Sequence, residues 1–513
     1  MSRVRRAGTL LAVLLLAVTA ACTADKPATV TLRVLASSDL TDLRPVLDRL
    51  EHETGVRLVM DYRGTVDAGD ALTPPTDEHD LAWLSSDRYL RLKLKAAGYT
   101  GPVPLSTKIM DSPVAIGLTP AAADRLPDRP TWADIADAAA AGRLGFAMAD
   151  PRHAGSGLAA LIGVATAATG AGRALRPEDV TCDRLGGFFA GRRITATSTA
   201  DLVARFVAGQ DSVDALISYE SVLLSVNAGG RLRQPLRIVY PRDGIVLAEY
   251  PLLLLNPRQR AAYDKAVAWL TGADGQRMIM RTTLRRPVDP AVTRDPRLGP
   301  AIGNSLYFPD QQETIDRLLA NYRAGGRPGH VIFVLDYSGS MRGARLAKLR
   351  ATFDGLGGVD RTSSGKFARF YPGERITLIR FGRTVLGERT FTVEDQADID
   401  AMRAFLGGAE PAGRTAVWSA LDHAYRIAAT ARRAESDRPV SIVLMTDGEN
   451  NAGAAIDGLL PRWREVGVPT YAISLARAAP PDLGRAASAT GGRVAEATTD
   501  NLRDAFKDVR GCG

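Results

Sequence analysis

Val331-Ile332-Phe333-Val334-Leu335-Asp336-Tyr337-Ser338-Gly339-Ser340-Met341 is the stretch on which the reading of this chain turns. Its five leading apolar residues read as a strand buried on both faces of a parallel sheet. The chain leaves that strand through Asp336, Ser338 and Ser340, and side chains at alternate positions of a tight loop converge on one point. Three oxygens so placed suit a hard divalent cation such as Mg²⁺, which takes oxygen ligands in near-octahedral order and retains waters. Two later segments offer oxygens from similar settings. Thr415 lies in Ala412-Gly413-Arg414-Thr415-Ala416, just before a helical pattern, and Asp447 follows the run Ser441–Thr446 and precedes Gly448. Asp, Ser and Gly are also turn residues in their own right, so the order and setting of all three parts carry the argument.

Asp336, Ser338, Ser340, Thr415 and Asp447 fill, in order, the pattern Asp-x-Ser-x-Ser, then Thr, then Asp. In this, the last third of the chain resembles the von Willebrand factor A domain and its metal-ion-dependent adhesion site. The resemblance implies a Rossmann-like α/β domain over residues 329–510. It implies Mg²⁺, or Mn²⁺ or Ca²⁺, as the bound ion. Ser338, Ser340 and Thr415 would contact the metal directly or exchange with water, while Asp336 and Asp447 supply charge, often through bridging waters. A protein partner would then complete the shell with an acidic side chain. The pattern predicts strands over 331–335, 375–381, 440–446 and 468–475, with helices over 398–406 and 416–433. Open α/β sheets place ligands outside the carboxyl ends of their strands. Glu449 and Asn450 read either as rim residues of the site or as solvated loop.

From Thr29 to about Pro300 strands and helices alternate, which favours an open α/β sheet. Val30–Ala36 is a strand, Leu43–Glu53 an amphipathic helix ending at Gly55, and Val56–Tyr62 the next strand. Two apolar strands interrupt the rhythm, Ser112–Leu118 and Ile245–Asn256. With these and the phrase Asp150-Pro151…Gly155-Ser156-Gly157, the region resembles bilobal, type II periplasmic solute-binding proteins such as the molybdate, sulfate and phosphate binders. The resemblance implies a domain over 30–300, with lobe one at about 30–113 plus 250–300 and lobe two at about 114–249. The turns Ser37-Ser38, Ser85-Ser86 and Gly155-Ser156 each follow a predicted strand and precede a helix. Helix N-termini leave unpaired N–H groups that suit oxyanions, so Ser37, Ser38, Ser85, Ser86 and Ser156 are candidate contacts to a small anionic solute. Taken singly, each reads sooner as a plain helix cap than as a ligand contact. Tyr219 occupies a place where related binding proteins present a ligand contact. Residues 301–328 read as a linker in which Thr314–Tyr322 has helical spacing.

The N-terminus speaks to location. Arg3, Arg5 and Arg6 precede the short apolar run Leu10–Ala21, and Ala20-Ala21-Cys22 follows. That run is too short to span a bilayer and has the layout of a signal segment. It resembles a bacterial lipoprotein signal over 1–21, which implies lipidation of Cys22, a tether over 22–29 and an extracytoplasmic, membrane-anchored protein. Thr19 stands where that family usually has Leu. Removing the three arginines lowers the formal charge from +8 to +5. No basic run interleaved with aromatics occurs, which argues against nucleic acid as a partner. Cys182 and Cys512 either pair in an oxidising compartment or remain thiols.

Enzyme readings find no foothold. The five histidines are scattered, and no Gly-x-Ser-x-Gly, Gly-Lys-Ser or paired-cysteine motif is present. The expectation is a lipid-anchored binding protein that uses a metal site for protein–protein interaction and carries a solute-binding-like module. The alternatives are the substrate-binding receptor of an ABC-type importer for a small anion, and an assembly subunit of a metal-dependent complex.

Overall fold

The computed structural model describes residues 29–170, 172–180, 185–299, 303–324, 328–475, 479–498, 501–502 and 505–506. The predicted signal, the tether as far as Ala28, Cys182 and Cys512 lie outside them. No helix among the described residues is long and apolar enough to cross a membrane.

The chain opens with β1 (Val30–Ser37), a 3₁₀ turn over Ser38–Leu43 and the helix Arg44–Thr54, which carries Pro45 in its first turn and stops at Gly55. Gly55 has φ 68°, a left-handed conformation that glycine adopts without a Cβ penalty, and its N–H caps Glu51 O. Strands β2 (Val56–Arg63) and β3 (Leu81–Trp83) lie parallel on either side of β1, and β4 (Leu105–Lys108) ends the first pass. At Ile109 the chain crosses to a second sheet. It builds β5 (Met110–Leu118), β6 (Phe146–Ala149), β7 (Arg192–Ala196), β8 (Ala215–Tyr219), β9 (Arg237–Val239) and β10 (Leu247–Ala248). It then returns as β11 (Pro251–Leu254), antiparallel to β3 and β4. The first sheet runs β2-β1-β3-β11-β4 and the second β10-β5-β8-β6-β7.

Two expectations need correction. Ile245–Asn256 is not one strand: β10 pairs with the second sheet and β11 with the first, separated by Tyr250 at φ 41°. A bulky residue tolerates that backbone only when its surroundings hold it; Tyr250 is fully buried and its hydroxyl donates to Asp39 at 2.5 Å. Nor does lobe one continue to residue 300. The short β12 (Arg286–Pro287) pairs with β5, so the chain crosses a third time near Arg285. Consecutive arginines staple this crossing to both lobes. Arg285 reaches Asp42 at 2.7 Å and the carbonyl of Asp39, whereas Arg286 grips Glu220 through two bonds of 2.7 Å.

The second domain is a six-stranded sheet of β13 (His330–Asp336), β14 (Arg375–Phe381), β15 (Val385–Thr392), β16 (Val440–Thr446), β17 (Thr470–Ser474) and β18 (Val494–Glu496). Its order is β15-β14-β13-β16-β17-β18, parallel except for β15. Central strand β13 is buried throughout because both its faces are covered. Val331, Phe333 and Leu335 join Phe353, Phe370 and Phe506 on one side, while Ile332 and Val334 join Trp418, Leu421 and Trp463 on the other. The helix Val417–Ala434 supplies the second set from Trp418, Leu421, Tyr425 and Ala428, a spacing of three or four residues.

The stretch expected as a linker is built into the first domain. The helix Gln312–Ala324 sinks Ile315, Leu318, Leu319 and Tyr322 into the first domain's core. The second domain docks there too, through the helix Ser363–Ala368. Phe367 joins that core, Lys366 meets Asp134 at 2.5 Å, and Arg369 meets Asp137 at 2.9 Å.

One buried base makes the second domain acid-sensitive. His330 is 3% exposed with Nε2 2.8 Å from Thr377 Oγ1, and burial, helped by Arg375 and Arg438, lowers its pKa to about 4. The unfolded chain protonates it near pH 6.5. Its contribution is therefore complete above about pH 6.5 and drains as pH falls toward 4, on the order of 3 kcal/mol in all. His330→Gln should flatten this loss in urea denaturation at pH 7, 6, 5 and 4. Parallel pH profiles for the two proteins would contradict it.

Candidate functional site

Asp336 is the last residue of β13, at the carboxyl end of the central strand, with no solvent exposure. Its carboxylate ties two loops together: Oδ1 accepts from the Ser338 N–H at 2.7 Å and Oδ2 from the Thr446 hydroxyl at 2.6 Å. Burial pushes its carboxyl above the usual range, the hydrogen bonds from Thr446 and Ser338 oppose this, and nearby Asp447 adds to it. Ser340 donates to Asp447 Oδ1 at 2.7 Å, which leaves Ser338 to donate to Ser340 at 3.1 Å. The loop bearing Thr415 is laced alongside, Gly339 N–H donating to Gly413 O at 3.1 Å and Ala412 N–H to Tyr337 O at 3.0 Å. Thr415 is itself fixed by Asn451, whose Oδ1 accepts from its N–H at 2.9 Å. Gly413 turns this loop at φ 73°.

The donor set fits a small hard cation. Adjacent oxygens around an octahedral ion with bonds of 2.0–2.1 Å lie about 3.0 Å apart, and the Ser338–Ser340 and Ser340–Asp447 separations of 3.1 and 2.7 Å bracket that edge. Among the described residues no three His, Cys, Asp or Glu side chains group to hold a metal. The oxygens gathered here are the hydroxyls of Ser338 and Ser340 and the carboxylates of Asp336 and Asp447. A guanidinium stands beside it: Arg345 pairs with Asp447 and donates to Ser340 O at 3.1 Å. The motif did not point to Thr446 or Arg345. Arg345 left a trace, however, because it sits in the first turn of the helix Ala344–Asp354. A cation there opposes the helix dipole unless an anion is near.

The candidate solute contacts come together in part. Ser37 ends β1, Ser85 follows β3 and Tyr219 ends β8. Thr65, unforeseen, joins them. Ser37 donates to Asp39, so the remaining protons fall in line. Thr65 donates to Ser37 at 2.8 Å, Ser85 to Thr65 at 2.8 Å and Tyr219 to Ser85 at 2.9 Å. Burial pushes the Tyr219 phenol well above its ordinary pKa. Ser86 lines the same cavity and accepts from the Arg88 N–H at 3.3 Å. Ser38 is half-buried at the start of the 3₁₀ turn, outside this chain of hydroxyls. The Ser156 hydroxyl is buried and meets no partner among the described residues.

Residues 32–284 match the family model for bacterial extracellular solute-binding proteins, and residues 330–508 that for the von Willebrand factor type A domain. Among curated proteins none matches the chain. Solved structures similar to it include iron-bound HitA from Pseudomonas aeruginosa, at 16% identity and TM-score 0.45, covering 57% of this chain and 98% of that one. A periplasmic thiamin binding protein shares 15% identity at TM-score 0.45, covering 58% and 96% of the two chains. The periplasmic binding protein P5PA shares 14% at TM-score 0.44, covering 57% and 98%. Residues 32–284 are thus similar to bacterial extracellular solute-binding domains, and residues 330–508, which follow them, to von Willebrand factor type A domains.

Proposed function

We propose that this protein is an extracytoplasmic, lipid-anchored binding protein whose type A domain captures a protein partner through a divalent metal. The observation that carries this reading is the cluster of Asp336, Ser338, Ser340 and Asp447, knit by hydrogen bonds beside the Thr415 loop. Mg²⁺ or Mn²⁺ held there would supply a Lewis-acid position to an incoming carboxylate. Ser338, Ser340 and Thr415 offer the neutral oxygens, and Asp336 and Asp447 balance the ion's charge. A partner's Asp or Glu then completes the shell, which turns metal binding into recognition. The reading is non-catalytic. A second reading, the substrate-binding receptor of an ABC-type importer, draws its support from the family match over 32–284.

Calorimetry on the full mature chain tests the metal. Asp336→Asn keeps the side chain's shape while removing one of two charges, and should weaken Mn²⁺ binding by about a hundredfold or more, given the 3–5 kcal/mol typical of breaking a buried charge pair. Thr415→Ala removes a neutral ligand, so much of the metal binding should survive while partner binding falls. Unchanged metal affinity in Asp336→Asn would sink the assignment. Arg345→Gln should act the other way. It removes a competing cation worth up to about 1 kcal/mol as a half-exposed ion pair, so Mn²⁺ should bind about two- to fivefold more tightly. A weaker site would instead make Arg345 a support.

The anchor is tested separately. If Cys22 carries lipid, the wild-type protein should partition with membranes, and Cys22→Ser should release it or leave the precursor uncut. Wild-type protein free in the medium with an unmodified Cys22 would exclude the anchor.

A further inference from the structure

The cleft between the lobes is closed by the chain itself. Four hydroxyls along its floor each spend their single proton on the next, from Tyr219 through Ser85, Thr65 and Ser37 to the carboxylate of Asp39. An incoming oxyanion finds no free O–H among these four, and it meets a carboxylate at the end of the chain. Backbone contact seals the lobes beside it. The Val66 N–H donates across the gap to His153 O at 3.0 Å, and a Cβ built on Gly64 would lie 2.2 Å from that oxygen. A Cβ on Gly155 would fall 2.3 Å from Ser85 Oγ.

The outer side of the cleft is walled by the segment between the two domains. Ile245 N–H donates to Asn304 O at 2.9 Å and Leu306 N–H to Ile245 O at 2.8 Å, so the segment adds an extended edge to the second lobe. Alternation then turns Leu306 and Phe308 inward, against the first domain's core and the cavity facing Ser85 and Tyr219. Tyr307 between them is 62% exposed. Gly244, at φ 131°, makes room for Leu306, whose Cδ2 lies 2.4 Å from where a Cβ would sit.

The helix Gln312–Ala324 completes the closure. It packs on the helix Arg88–Ala96 of the first lobe and on the helix Gly155–Thr169 of the second. Arg317 donates to Pro177 O at 2.9 Å, and the Tyr322 ring meets Phe189 edge-on at 5.4 Å. Opening the lobes would pull this helix off one of them and expose side chains now buried on its inner face.

We infer that the interlobe cleft is a self-occupied site: Asn304–Phe308 sits where a solute would enter, and Gln312–Ala324 straps the lobes shut. The first domain then serves as a fixed pedestal for the type A domain rather than as a receptor that exchanges solute. The inference does not depend on the metal site.

Hydrogen exchange on the full mature chain, read by mass spectrometry, tests it. In wild type the peptides around Val66 and Leu158 should be protected as strongly as β13, and 10 mM inorganic phosphate or a hexose phosphate should leave their rates unchanged (roughly the concentration at which weak solutes still register). The double substitution Leu306→Ser with Phe308→Ser, and separately Tyr322→Ala, should speed exchange of those cleft peptides at least about tenfold while leaving β13 unchanged. Tyr307→Ser should change neither. Wild-type cleft peptides that exchange like exposed loops, or that slow on adding either probe, would overturn the inference, as would unaltered rates in both opened variants. The wild-type arms decide the matter even where a variant fails to fold.

Discussion

A carboxylate taken out of water must be paired or the fold bears a penalty of several kcal/mol, and Asp39 is such a group, 8% exposed at the meeting point of the first domain's crossings. It accepts from Ser37 at the end of β1 and from Tyr250 at the second crossing, and Arg285 at the third crossing lies 3.8 Å away. Three segments distant in sequence are thereby held to one charge. Arg286, next along the chain, is committed to Glu220 in the other lobe. The residue with the positive φ, Tyr250, is the one whose hydroxyl reaches Asp39. The two lobes meet at a point where each ionised group already has its partner.

The type A domain handles its buried carboxylate differently. Asp336 satisfies one loop with Oδ1 and another with Oδ2, so it sets the shape of the site's floor. The oxygens above it, Ser338, Ser340 and Asp447, are bonded mainly to each other and to Arg345, whose side chain is 39% exposed. One site is closed by groups far inside the protein, and the other by a cation that solvent can reach. That difference underlies the two proposals, of the type A domain as the working surface and of the first domain as its support. The docking of Phe367, Lys366 and Arg369 on the second lobe joins the two mechanically.

Much of this was legible in the residues. The apolar run of β13 predicts a strand buried on both sides, and alternation divides it between two apolar layers, as Phe333 and Val334 do. The spacing of Asp336, Ser338 and Ser340 predicts convergence, because alternate loop positions share a side. Serines placed after strands predict a shared cleft; in the fold the Ser37 and Ser85 hydroxyls are joined through Thr65. Local periodicity suffices for the strand and for the loop spacing, since each depends on residues within a few positions of one another, whereas Ser37, Thr65 and Ser85 lie 28 and 20 positions apart.

What the tertiary structure alone decided is how these groups spend their hydrogen bonds. Whether Ser85 faces a ligand or another hydroxyl depends on Tyr219, 134 positions away, and on how the lobes meet. Thr446 and Asp336 are 110 positions apart, and no local pattern links them. The segment 301–328 reads as a linker because Ala324-Gly325-Gly326-Arg327-Pro328 breaks its helical spacing. Its apolar face belongs to the first domain only because both lobes present surface to it at once. Sequence determines which side chains are able to bond; the distances between elements determine which partner each one takes, and those distances exist only in the folded chain.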